Sequence, residues 1–210
     1  MKRAAPVLFL VALVAAAPAP KAASSAKIGE WNLQTDQLNA NLFSGAFSAP
    51  HKVTLTRADG SIVVADRANG NYKQRQANLF GHVSMHDASG TFGLKSAQSG
   101  QSHGPATLTA DTLRLDDGAR LYDASGSVHY AQGDTSADAQ KAHLNDATHQ
   151  LDLTGKVHVV QGDRTLDAES ATYNTQSGSG EADTNVLITF PGITPTFATP
   201  KPLKIPGTKP

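Results

Sequence analysis

The chain has no cysteine, a single tryptophan and no net charge, its 18 basic side chains balancing 18 acidic ones over 210 residues. Without cysteine there are no disulfide staples and no thiolate metal sites, so stability has to come from backbone pairing and apolar packing. Neutrality, with no block of like charges, excludes a protein that neutralises nucleic-acid phosphates with clustered Lys and Arg. Aromatic residues are only 6% of the chain, so any core is short of large side chains. Long apolar runs are scarce as well. The run at residues 4–17 carries no charge but has 14 residues, and a helix needs about 20 to cross a bilayer core.

That run follows Lys2 and Arg3 and leads into the small-residue sites Ala15-Ala16-Ala17 and Ala17-Pro18-Ala19. Residues 1–23 are therefore read as a cleaved secretory signal peptide, the alternative being an uncleaved short anchor. At the other end, six prolines fall between Pro191 and Pro210. Proline fixes φ and removes a ladder donor, so residues 193–210 read as an extended Pro-rich tail. The folded domain is expected between, over residues 27–192.

Inside that span the sequence repeats. Residues 106–134, 135–163 and 164–192 form three blocks of 29, the first two ending in Tyr130-Ala131-Gln132-Gly133-Asp134 and Val159-Val160-Gln161-Gly162-Asp163. A small residue sits early in each block (Ala110, Ala139, Ala168). Sixteen positions later comes Gly126, Gly155 or Thr184, and two further on a valine. The same spacing recurs upstream at Ala65, Gly81 and Val83, and in a more diverged copy at Thr35, His51 and Val53. This makes five copies, with a Gly- and Ser-rich insertion at residues 88–105 read as a loop.

Within each copy the apolar period is 2, not 3.6. Val157 and Val159 flank His158, and Val128 and Tyr130 flank His129, the mark of strands with one dry and one wet face. Gln140 to Leu144 is the nearest candidate for a helix, but its equivalents in other copies are strand-like. Asp116-Asp117-Gly118, Asn145-Asp146 and the Ser/Gly stretch at residues 177–180 read as turns. The fold expected is all-β: two facing antiparallel sheets built from about five two-strand repeats. Counting five copies at the spacing of paired strands, each sheet extends roughly 20 to 25 Å.

Columns across the copies define the expected interior. One holds Val53, Val83, Val128, Val157 and Val186; the next inward column holds Leu55, Met85, Tyr130, Val159 and Ile188. The other half-repeat contributes Val63, Leu108, Ala137 and Leu166, then the alanines Ala65, Ala110, Ala139 and Ala168, and further on Leu115, Leu144 and Tyr173. So many small residues leave two facing sheets short of volume. Close packing is the rule inside proteins, and an unfilled seam could be filled by lipid, each buried methylene contributing about 0.8 kcal/mol. The competing reading is that these residues pack only against themselves.

No catalytic residues, cofactor or metal are expected: no G-x-S-x-G elbow, no H-E-x-x-H and no phosphate loop is read. His129 and His158 occupy equivalent columns, which would make them neighbours on adjacent strands. With no carboxylate in that column they are read as exposed surface residues rather than metal ligands.

The spacing resembles a known family. Residues 151–163 (LDLTGKVHVVQGD), 166–174 (LDAESATYN) and 65–85 (ADRANGNYKQRQANLFGHVSM) are similar to the repeats of the OstA-like N-terminal domain family, the LptA/LptC-type periplasmic lipopolysaccharide-transport proteins. The resemblance covers roughly residues 31–192. It implies a twisted β-jellyroll that shields lipid A acyl chains, a periplasmic location, and stacking of jellyrolls through open sheet edges into a bridge between inner and outer membranes. Partners would be lipopolysaccharide and other Lpt-type jellyrolls, with further copies of the chain itself, head to tail, among the candidates. Glu30 to Asp36 and the turn at residues 57–61 look closer to the LptC-like, inner-membrane-anchored adaptor. The short apolar run favours the soluble, LptA-like member. A structural β-solenoid or adhesin with a dry core is the reading from another class.

Overall fold

The computed structural model describes residues 24–90 and 104–191. The expected signal peptide, most of the inserted loop and the Pro-rich tail lie outside the described residues.

All regular structure among the described residues is β. The first part of the chain makes short strands: β1 (Ser24–Ile28), β2 (Trp31–Thr35), β3 (Asn39–Ala40), β4 (Ala46–Ala49), β5 (Val53–Thr56), β6 (Ile62–Ala65) and β7 (Arg67–Asn71). Six long ones follow: β8 (Gln76–Asp87), β9 (Ala106–Asp116), β10 (Leu121–Gln132), β11 (Thr135–Asn145), β12 (Gln150–Gln161) and β13 (Arg164–Asn174). Two short strands, β14 (Gly180–Asp183) and β15 (Leu187–Thr189), close the order. β1 starts ahead of the domain boundary expected at Lys27, and Gln140 to Leu144 lies within β11.

Every pairing is antiparallel, and β8 to β13 form an uninterrupted meander. Each ladder between the long strands is interrupted at mid-length by a bulge, carried by β8, β10 or β12. Between the pairs Phe80↔Thr112 and Val83↔Ala110, β8 has two residues where β9 has one. The same two-against-one count recurs between Ser125 and Val128 on β10 and between Thr154 and Val157 on β12. A bulge of this kind bends its strand. The sheet therefore folds over along the line of bulges into two walls that share the long strands.

The glycines of the repeat make the hinge. Gly126 has φ +77° and Gly155 φ +81°, a left-handed conformation disfavoured for residues with a Cβ. A Cβ on Gly126 would also run into the Asp111 side chain, and one on Gly155 into Gln140. In the last copy Thr184 stands at this position with φ 63°. There the strand parts into β14 and β15, which pair with opposite halves of β13.

The first wall runs β1-β2-β5-β6 and on through the C-terminal half of β8, the N-terminal half of β9 and so forth to β15. The second wall runs β3-β4-β7 and through the complementary halves to β14. Each copy thus gives two strands to each wall, not one, so the walls are about twice as long as the 20 to 25 Å expected. For the same reason equivalent residues of successive copies lie two strands apart. In register the valine column reads Val83, Ala110, Val128, Ala139, Val157, Ala168. This row borders the hinge, where the walls converge and small residues alternate with valine.

The turns of the second wall are coupled from copy to copy. Arg75 pairs with Asp117 and Arg120 with Asp146, and the backbone N–H groups of Asp117 and Asp146 donate to the carbonyls of the same two arginines at 3.0 Å. In the next copy Thr175 repeats the backbone bond to His149 at 2.8 Å. The Asp116-Asp117-Gly118 segment is a turn, as read from the sequence, and its second carboxylate is a staple. Arg120→Ala leaves the Asp146 carboxylate, 8% exposed, without its cation, and a buried acceptor stripped of its partner destabilises. The urea unfolding midpoint is expected to fall, whereas Arg114→Ala, on the outer face of β9, should leave it nearly unchanged.

A cavity between the walls

The residues that face inward come in rows set by the ladder register. In the body of the first wall one row reads Leu33, Leu55, Val63, Met85, Leu108, Tyr130, Ala137, Val159, Leu166, Ile188. Opposite, the second wall presents Leu79, Leu113, Ala124, Ala142, Leu153, Ala171, Ala182 and a parallel row Ala77, Leu115, Tyr122, Leu144, Leu151, Tyr173.

These rows are filled at one end and hollow at the other. In the valine column, exposure is 0% at Val53, 1% at Val83, 2% at Val128 and Val157, and 45% at Val186; in the next column it climbs from 0% at Leu55 to 51% at Ile188. The N-terminal third is a dry core of Ile28, Trp31, Leu33, Phe47, Leu55 and Val63. From Met85 and Leu113 onward the walls separate around an apolar cavity of about 360 Å³, which reaches the surface at β14 and β15 beside the exposed Ile188 and Phe190. Alanines at 106, 124, 137, 142, 171 and 182 line it, so the missing side-chain volume falls where the cavity is.

One lip of the hollow is polar. The outermost row of the first wall is Asp87, Ala106, Gln132, Thr135, Gln161, Arg164. Tyr130 donates its hydroxyl to Gln132 at 2.7 Å, and Gln132 donates to the Gly104 carbonyl at 2.8 Å. The inner end is polar too. Arg57 sits 5.0 Å above the Trp31 ring, bonds Asp59, and lies 3.7 Å from Asp87, which accepts from Ser61 at 3.2 Å and Ser89 at 3.0 Å. The Arg57 hydrogen bond holds the Asp59 carboxyl well below the ordinary carboxylate range, and burial pushes the Tyr122 phenol up. A carboxyl depressed in the folded state contributes stability above its unfolded pKa and loses it as pH falls through the folded one. Unfolding midpoints of the wild type should therefore drop below about pH 4, and less steeply in Asp59→Asn.

Nine of the residues expected to line a groove lie on the cavity: Met85, Leu108, Val128, Tyr130, Leu144, Val159, Leu166, Tyr173 and Ile188. Val53, Leu55 and Val63 are in the dry core; Val83, Leu115 and Val157 are buried outside the cavity lining, and Val186 is exposed beside β15. Missing from the expected set were Leu113, Tyr122, Ala124, Ala142, Leu151, Leu153 and Ala171 of the second wall. Their signal is the alternation in residues 113–115, 121–124 and 151–153, the same period that marked the first wall.

Two readings of the outer face need correction. His129 and His158 are not on adjacent strands, because β11 runs between them, and carboxylates do share their row. His129, Asp138, His158 and Asp167 stand in ladder register, with Nδ1 contacts of 2.7 Å from His129 to Asp138 and 2.6 Å from His158 to Asp167. Among the described residues no group of three or more such side chains is placed to hold a metal ion. A G-x-S-x-G string does occur, at Gly100-Gln101-Ser102-His103-Gly104. It lies in the inserted loop, largely outside the described residues, and leads into strand β9, whereas a nucleophile elbow needs a helix after it.

Two bulge-hinged walls around a hollow that opens at one sheet end define an open, twisted β-jellyroll. Residues 136–189, from β11 to β15, match the family model described as LptA/(LptD N-terminal domain) LPS transport protein. Over those residues, from β11 to the end of β15, the chain is similar to the OstA-like, LptA-type family. Among solved structures it resembles LptH of Pseudomonas aeruginosa, described as the LptA homologous periplasmic component of the conserved lipopolysaccharide transport device. That likeness has a TM-score of 0.50 and 19% identity over 62% of this chain and 94% of the other, and it speaks for the fold alone. No curated protein matches the chain in sequence.

Proposed function

We propose that this protein holds the acyl chains of lipopolysaccharide between its walls and forms part of a periplasmic bridge that carries the lipid from the inner to the outer membrane. The observation that carries the reading is the apolar cavity opening at β14 and β15. Its volume falls in the range of about 300 to 1,000 Å³ typical of ligand sites. An amphiphile fits this geometry: hydrocarbon against Leu108, Leu144 and Leu153, and a polar head at the lip of Gln161 and Arg164. The family match over β11 to β15 and the periplasmic role printed for LptH support the same reading.

The bridge part of the proposal rests on the sheet ends. β14 and β15 end the two walls, with Val186, Leu187, Ile188 and Phe190 between 45% and 61% exposed beside them. An apolar edge with no further strand beside it among the described residues is a template for strand addition by another jellyroll. The test is uptake of labelled lipopolysaccharide by delipidated full-length protein. Saturable binding that competes with unlabelled lipid is expected; a protein that stays folded and takes up none is a scaffold with no carrier role.

A further inference from the structure

We propose that the inner end of the cavity is a ruler: Met85, Leu113 and Tyr122, backed by the polar cluster of Arg57, Asp59, Ser61 and Asp87, stop a hydrocarbon chain and set the longest acyl group the protein accepts. This rests on the lipid-holding reading and goes beyond it in naming what selects the chain.

The cavity lining ends at Met85, Asp87, Leu113 and Tyr122. Directly behind lie Trp31, Leu33, Leu55, Val63, Leu79 and Leu115, none more than 1% exposed. A chain that advances from β15 therefore meets, among the described residues, a close-packed core. Close-packed interiors do not yield to an inserted methylene without displacing side chains. The polar cluster hardens the stop. Asp87 is 2% and Ser61 0% exposed, and the Arg57 guanidinium is held from three sides: by the Trp31 ring, by Asp59, and by Ser61 at 3.3 Å. A methylene pushed among these groups would strip buried hydrogen bonds and return nothing for them. Tyr122 joins the stop to the second wall, its ring in register with Leu115 and Leu144.

Until the stop is reached, each further methylene should raise affinity roughly fourfold; past it the gain should vanish. The experiment displaces labelled lipopolysaccharide from full-length protein with saturated alkyl phosphates of graded chain length. Wild type is expected to show a break in the plot of affinity against length. Tyr122→Ala and Met85→Ala should move the break to chains longer by about two to four methylenes, and Met85→Trp to shorter ones. A far-UV circular dichroism spectrum and a urea midpoint recorded for each variant serve as the check on folding. A break that stays put in all three variants, or an affinity that climbs with length without a break, overturns the ruler while leaving lipid holding intact. If no alkyl phosphate and no lipopolysaccharide binds the wild type, the lipid-holding reading fails and the ruler with it.

Discussion

Val159→Asp should strip the protein of bound lipid, whereas His158→Ala, one position away, should not. The two side chains project from opposite faces of β12: Val159 lines the cavity, and His158 contacts Asp167 on the outer face. A carboxylate in the hollow would stand between Ala137 and Leu166, its apolar cross-strand neighbours. It would have to be neutralised or hydrated, and either outcome spoils the site for hydrocarbon. Loss of one valine contact and gain of one wet group together should lower retained lipopolysaccharide by roughly tenfold or more. His158→Ala removes a partly exposed pair, of a kind worth about 0 to 1 kcal/mol, and touches no lining residue. The measurement is lipid recovered per mole of protein purified under identical conditions. Equal loss in both variants would contradict the assigned facing.

The largest effect on stability is expected at the hinge. Gly126→Val forces a β-branched residue into φ +77° and drives its Cβ into Asp111. The conformational penalty and the collision together should cost about 3 kcal/mol or more, out of a total stability of about 5 to 15 kcal/mol. Beyond the number, the variant tests the architecture. Without a bend at residue 126 the halves of β10 would lie in one plane, and Tyr122 could not face the same interior as Tyr130. Thr184→Gly is the converse. It relaxes a non-glycine residue from φ 63° and should stabilise by about 0.5 to 1 kcal/mol. Urea denaturation followed by far-UV circular dichroism reads both.

Much of this was legible in the sequence, for physical reasons that can be assigned residue by residue. Period-2 alternation around Val128-Tyr130 and Val157-Val159 identified the inward side of the first wall, because a strand's side chains can only alternate. The spacing of Gly81, Gly126 and Gly155 located the repeat. The geometric role of those glycines was hidden. A glycine followed by His82, Ser127 or Lys156 gives no sign that both residues take positive φ, and so no sign that one strand serves two walls. That single omission halved the expected length of the sheets. It also placed His129 next to His158 and left part of the second wall's lining (Leu113, Tyr122, Leu153) unassigned, although Leu144 and Tyr173 of that wall were read.

The contrast between a dry N-terminal end and a hollow C-terminal end was also out of reach. Val53 and Val157 look alike in sequence. What separates their surroundings is that Trp31, Ile28 and Phe47 have no counterparts in later copies, where alanines stand at 124, 137, 142 and 171. Column volumes summed across both walls would have given the signal, but only with the register in hand. The cross-copy staples Arg75–Asp117 and Arg120–Asp146 were invisible for a related reason. Their partners are 42 and 26 residues apart, and only the turn geometry brings them together.

Photo-crosslinkers placed one at a time along the inward row, at Leu55, Met85, Tyr130, Val159 and Ile188, and exposed to labelled lipopolysaccharide, test the graded interior most directly. Strong adducts are expected at Tyr130, Val159 and Ile188, a weak one at Met85 and none at Leu55. Adducts at Leu55 as strong as at Val159, or none anywhere along the row, would contradict a hydrocarbon hollow closed at its N-terminal end.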